Sequence, residues 1–299
     1  MTAMNPTSRA RLADLGLFYA AAIWGATFFL VKGALGAVDP VILVAYRFLI
    51  GGAILLGFNF ATGRSIIAGW RKSLLLAVIL WLLYVPQTIG LGITTASNSG
   101  FITGLFVAFV PIFLRTLFHQ RPTLMEWIAS IVALLGLWVL TGGMTTVNAG
   151  DALTLLAAVT YALHLLFSDK YMKEKLDPYV LVCQQFILVG LMSLATGLIF
   201  GLDFGVHSDG ALWTIVFLAL FPSLSAFVIQ LLAQRIASPL RTSLIFSLEP
   251  LFAAVFAWTI GGETFVMRGA AGGLIISVAL MLSGLPTPRW LARLAGHSV

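Results

Sequence analysis

The chain has 299 residues, of which 60% are apolar and only 9% charged; the formal net charge is +6 and the mean hydropathy +1.02. A soluble globular domain carries about 25% charged residues, so this composition excludes a soluble enzyme. Disorder, which needs low hydrophobicity and high charge, is excluded as well. The basic residues sit in short gaps between apolar runs, the pattern of a membrane protein oriented by positive charge and not of a nucleic-acid binder. A single cysteine, Cys183, excludes an intramolecular disulfide framework.

A bilayer-spanning helix takes roughly 20 apolar residues. Breaks at Gly, Pro and charge clusters predict ten spans: 14–35, 40–60, 73–93, 98–118, 124–141, 152–172, 178–200, 211–233, 240–260 and 267–285. The first is read as a retained helix, because Arg9 and Arg11 precede it and no small-residue cleavage site follows. It carries the deep aromatics Trp24 and Phe28. The second carries Tyr46 and Arg47. An ionisable group at mid-bilayer costs about 2.5–3.5 kcal/mol and so faces a cavity or a partner. Arg47 either meets a substrate carboxylate or is structural, bonded to helix carbonyls or to an acid such as Glu249.

On the third span Tyr84, Gln87 and Thr88 share one helix face. The fourth opens with Ser97, Asn98 and Ser99, read as a cap, and continues to Phe101. The sixth carries Tyr161 and His164 one turn apart, and His164 either binds substrate or is a buried neutral imidazole. The seventh carries Gln184 and Gln185, of which at most one points squarely into a cavity. Phe227, Gln230 and Gln234 form the stripe of the eighth. Such stripes line a cavity or bond between helices. In the ninth, Glu249 precedes the helix-breaking Pro250; it is read as an amine-binding or proton-carrying carboxylate, or as half of an ion pair. Gly269, Gly273 and Ser277 recur every four residues on the tenth, a face for helix packing or for a dimer contact. Trp70, Trp213 and Trp290 read as interfacial anchors.

Fourteen Lys and Arg residues fall on one side of the ten spans and two, Lys32 and Arg268, on the other. Both termini are therefore expected in the cytoplasm. The halves also repeat. Asp39–Phe48 reads DPVILVAYRF and Asp177–Phe186 reads DPYVLVCQQF, identical at five of ten positions. Asp14 and Asp151 each stand ten residues before a matching aromatic, Trp24 or Tyr161, and Pro111 corresponds to Pro250. Five spans per half put the second copy in the membrane upside down. The expected fold is therefore all-α integral membrane, with inverted five-helix repeats at 14–141 and 151–285. Repeats of this kind build secondary transporters with a binding site near the midplane.

The motifs WG (Trp24, Gly25), YRF (Tyr46–Phe48), LEP (Leu248–Pro250) and GGE (Gly261–Glu263) resemble, in order and spacing, the drug/metabolite transporter superfamily in its EamA-type, ten-helix form. The first half departs from the pattern: His119–Pro122 stands where an acid matching Glu263 is usual. Within the family the chain is similar to YddG-type amino-acid exporters. That resemblance implies a multi-pass protein of the inner membrane, exporting amino acids, aromatic ones included; monomer and homodimer both stay open. The alternatives are an exporter of another small metabolite or drug, and, more distantly, a membrane-embedded enzyme. No nucleotide-binding loop occurs. The histidines His119, His164, His207 and His297 lack metal-ligand spacing, so no cofactor, metal or catalytic group is expected. The expected substrate-binding set is Trp24, Phe28, Tyr46, Arg47, Tyr84, Gln87, Phe101, Tyr161, His164, Gln185, Gln230 and Glu249.

Overall fold

The repeated Asp-Pro pair has a direct structural meaning. Asp39 caps α2 (Pro40–Ala61) by accepting from the amides of Val41 and Ile42, and Asp177 caps α8 (Pro178–Phe200) from Tyr179 and Val180. In each case proline fills the first helical position, where its missing N–H costs nothing. A computed structural model describes residues 5–143, 148–259, 265–283 and 285. It is all-helical among the described residues. The remaining helices are α1 (Pro6–Ala34), α3 (Trp70–Ile93), α4 (Ala96–Gly104), α5 (Phe106–Thr116), α6 (Leu124–Thr141), α7 (Ala149–Lys173), α9 (Asp209–Leu218), α10 (Ala226–Gln234), α11 (Pro239–Phe246), α12 (Glu249–Thr259) and α13 (Met267–Ser283).

Nine membrane-length apolar segments lie among the described residues, and the shorter α13 makes a tenth. The ten-span, all-helical membrane fold expected from hydropathy is thus what the chain adopts. Two spans are not continuous. The fourth divides into α4 and α5 at Leu105, and the ninth into α11 and α12 at Ser247–Leu248. The ninth breaks directly before Pro250, as proline chemistry requires. In the fourth, Pro111 lies inside α5 and the break falls earlier. The eighth span joins α9 to α10 through a π-helical turn, Ala219–Ser225, around Pro222. The cap of α4 is Thr95, which accepts from the Asn98 amide at 3.0 Å, in place of the expected Ser97–Ser99 group.

Packing is close where glycine permits it. A Cβ on Gly25 would meet the Glu249 carbonyl at 2.6 Å, so this glycine lets α1 lie on α12. Gly272 lies against the Leu140 backbone and Gly136 against the Gly272 carbonyl, joining α6 to α13. Gly269 and Gly273 face Trp258 and Leu251, so this stripe is engaged within the chain and the dimer contact it also suggested is not needed to explain it. Gly272→Val should destabilise the detergent-solubilised protein by about 1–3 kcal/mol through overpacking, read as a lowered unfolding temperature. Gly57→Ala, with nothing within 4 Å of the new Cβ, should not lower it.

Ion pairs gather at the Lys- and Arg-rich end. Arg64 pairs with Asp177 at 3.0 Å, Lys72 with Glu174, and Arg241 with Asp14 through two bonds of 2.7 and 2.6 Å. All three tie a residue before position 142 to one after it. At the opposite end Lys32 Nζ donates to the carbonyls of Leu91 and Thr94, at 3.0 and 2.6 Å. Trp70 and Trp213 are exposed near span ends; Trp290, Glu263 and the GGE motif, Arg289, Arg293 and His297 lie outside the described residues.

Candidate functional site

Polar side chains from α1, α3, α7, α10 and α12 converge at mid-depth on a small cavity. Its lining is Trp24, Thr27, Leu83, Tyr84, Gln87, Tyr161, His164, Phe227, Gln230 and Glu249. The cavity measures about 30 Å³, room for one water molecule and far below the roughly 300 Å³ of a small-molecule pocket. As it stands it admits no solute larger than water.

Its walls are aromatic. The Trp24 ring lies edge-on to Phe246, Phe227 and Tyr161, at 4.9, 5.4 and 6.3 Å between centroids. Trp24 Nε1 donates to the Pro222 carbonyl at 2.7 Å, using a backbone acceptor in the π-helical turn and locking the indole. His164 Nε2 lies 2.8 Å from Gln185 Oε1, and Gln87 Nε2 donates to Thr103 Oγ1 at 2.9 Å.

Unmet acceptors stand out. Glu249 is buried at 7% exposure in the first turn of α12. No Lys, Arg or His among the described residues lies within ion-pair distance of it. Gln230 Oε1 is buried without a hydrogen-bond partner, and the Tyr161 hydroxyl lies beside the Glu249 carboxyl. A positive helix end stabilises the Glu249 carboxylate, but a buried charge still needs a counter-charge. Acceptors and aromatic faces around a void suit an ammonium group.

A larger space lies toward the face that carries Lys32. This vestibule has a volume of about 490 Å³, with Phe28, Lys32, Gly100, Trp258 and Arg268 in its wall. Between it and the central cavity is a constriction with no room for water, formed by Phe28, Phe106, Phe246, Thr103, Glu249 and its neighbours. Phe106 opens α5 and Phe246 closes α11, so the two helix breaks place the plug. Non-helical backbone is tolerated at membrane depth where it lines such a passage. Phe28→Ala should widen the neck: a Thr103→Cys thiol should then react several-fold faster with a membrane-impermeant maleimide added from the Lys32 face.

Of the twelve residues expected to bind substrate, Trp24, Tyr84, Gln87, Tyr161, His164, Gln230 and Glu249 line the central cavity. Phe28 lies in the vestibule and its neck. Gln185 stands one bond behind His164. Arg47 is not paired with Glu249: its Nε donates to Ser223 Oγ at 3.0 Å, and its guanidinium stacks 4.8 Å from the Tyr84 ring centroid, behind the cavity wall. The remaining two lie away from the cavity. Tyr46 turns away and donates its hydroxyl to the Phe204 carbonyl at 2.8 Å, and Phe101 packs against Trp138 in a separate apolar cluster. Thr88 bonds the Tyr84 carbonyl of its own helix, and Gln234 donates to the Leu165 carbonyl while its Oε1 accepts from Gln230 Nε2 at 3.4 Å. Gln184 points at the 62–69 loop through the Ile66 and Ala68 carbonyls. Sequence reasoning missed Thr27, Phe106, Phe246 and Ser223. The two phenylalanines carry no polar signal, although their place beside helix breaks could have drawn attention to them.

A ten-span helical membrane protein with broken helices around a mid-depth polar cavity has the construction of a solute transporter. The profile of the EamA-like transporter family matches residues 11–142 and again 148–285, and the chain belongs to that family. It is 27% identical to an uncharacterized transporter of Archaeoglobus fulgidus, over 91% of this chain and 86% of that one. The uncharacterized inner membrane transporter YedA of Escherichia coli K12 is 26% identical over 90% of each chain. The uncharacterized transporter YwfM of Bacillus subtilis is 27% identical over 93% of each. A protein of known crystal structure shares the fold, with a TM-score of 0.77 at 19% identity, covering 94% of this chain and 98% of that one. The chain is a multi-pass protein of the inner membrane.

Proposed function

We propose that this transporter exports amino acids, aromatic ones among them, by alternating access, and that it is no enzyme. The observation that carries the reading is Glu249, a buried carboxyl with no cation within ion-pair distance among the described residues, facing a cavity walled by Trp24, Tyr84 and Tyr161. The substrate ammonium takes Glu249 and Gln230 Oε1. The amide groups of Gln87 and Gln230 face the carboxylate, and the aromatic walls take the side chain.

The mechanism rests on two inverted halves, 14–141 and 151–285, with both termini cytoplasmic. Packing supports this. Exchanging the halves pairs spans 1 with 6, 2 with 7, 3 with 8, 4 with 9 and 5 with 10. The contact of α3 with α7 then exchanges with that of α1 with α10, while α2 on α8 and α6 on α13 map onto themselves. Two arrangements of similar units give two states, each open to one face. Here the ion pairs tie the two halves together at the Lys- and Arg-rich end, while no such pair crosses the vestibule at the other among the described residues.

Counterflow of labelled Phe, Trp, Thr and Met into proteoliposomes tests the reading. Accumulation above empty vesicles is expected for Phe and Trp. No accumulation of any of the four would end the amino-acid assignment.

A further inference from the structure

The Lys- and Arg-rich face holds a second large cavity, about 480 Å³, between the ends of α5 and α7 and the start of α11. Its position is the half-exchanged image of the vestibule. The offset that relates Trp24 to Tyr161 carries Lys32 onto Asp169 and Gly33 onto Lys170. The offset that relates Pro111 to Pro250 carries Leu114 onto Ala253. Lys32, Gly33 and Ala253 line the vestibule; Asp169, Lys170 and Leu114 line this one. The two cavities therefore share one design, but the side chain at the Lys32 and Asp169 position has changed sign.

Asp169 is buried in the wall. Its Oδ2 accepts from Lys173 Nζ at 2.7 Å, and its Oδ1 has no partner. Lys173 is half exposed, on a flexible stem that can swing out. Lys32, by contrast, is held by two backbone carbonyls. An acid tied to a displaceable ammonium at one mouth and a tethered cation at the other make the two mouths unlike.

We infer that this cavity is the cytoplasmic entry site, where Asp169 binds the ammonium of a primary amine that displaces Lys173. The inference rests on the amino-acid reading and adds a second amine site. It assigns recognition of the amine to the entry mouth, before the central cavity opens. The carboxylate of an amino acid bound there faces Lys170 and the freed Lys173, both in the same wall.

The test uses the full chain with Leu117→Cys, a wall position, since the native Cys183 is buried. An impermeant maleimide should label this thiol in inside-out vesicles and not in right-side-out ones. Phenethylamine and L-phenylalanine should each slow labelling at least several-fold, and 3-phenylpropionate, which lacks the amine, should not. Asp169→Asn should abolish the protection and Asp169→Glu should restore it. Labelling from the opposite face, equal protection by 3-phenylpropionate, or protection that survives Asp169→Asn would overturn the proposal. The ligand comparison needs no Asp169 variant, so misfolding of one leaves the test intact. Counterflow separates the two claims: amine protection without amino-acid counterflow keeps the entry site and ends the amino-acid reading, whereas counterflow without amine protection does the reverse.

Discussion

Glu249→Gln should weaken phenylalanine binding by roughly ten- to a hundredfold, because a hydrogen bond to a charged group contributes about 1.5–3 kcal/mol. Glutamine keeps the volume and can still bond the Tyr161 hydroxyl, but it cannot neutralise an ammonium. The loss should follow the amine: phenethylamine should weaken with phenylalanine, and 3-phenylpropionate should not. Stability should move the other way. Without an ammonium beside it Glu249 is a buried carboxyl with no ion partner among the described residues, and burying such a group costs stability whether it stays charged or takes up a proton. The variant should therefore unfold at the same temperature as the parent or a higher one, while phenylalanine no longer raises that temperature. Thermal unfolding with and without ligand reads both effects in one experiment. Unchanged stabilisation by phenylalanine in the variant would place the ammonium elsewhere and remove the observation on which the amino-acid reading stands.

The spans were legible because they rest on length and composition, which the bilayer imposes directly. The Asp-Pro starts were legible for a similar reason: an N-cap acid and a first-turn proline are local chemistry. The polar stripes on the third and eighth spans also pointed to the cavity, since i, i+3 spacing fixes a shared face. What the sequence did not carry is azimuth between helices. Arg47 and Glu249 are both buried and have opposite charge, yet α2 turns Arg47 toward Ser223, and Tyr84 fills the space beside its guanidinium. Tyr46, one position earlier, is rotated by about 100° on the same helix and faces the 201–208 loop. Phe101 lies on α4 beside cavity-forming residues and was rotated onto Trp138 by packing of α6. The break at Leu105 was invisible because Pro111, the residue that signals a break, is not where it falls.

Arg47 separates two ways of handling a carboxylate. If its guanidinium met the substrate directly, Arg47→Lys would keep a cation in place and only carboxylate-bearing ligands would respond. The geometry predicts otherwise. Arg47 is 2% exposed, its Nε is bonded to Ser223 on the π-helical turn, and its plane stacks on Tyr84 with Phe48 5.3 Å away. That makes it a positioning residue: it couples α2 to the eighth span and holds the ring that forms one wall of the cavity. A desolvated cation–π contact contributes about 1–2 kcal/mol, and lysine has neither the planar face nor the Nε donor to replace both bonds. Arg47→Lys should thus weaken phenylalanine and phenethylamine together, each by roughly five- to thirtyfold. Ser223→Ala, which removes the Nε partner and leaves the stack, should weaken both by less. The readout is the ratio of the two affinities, which a positioning role holds constant and a direct anchor changes. A loss confined to phenylalanine would mean that the ring swings aside on binding and that Arg47 enters the site when the cavity expands.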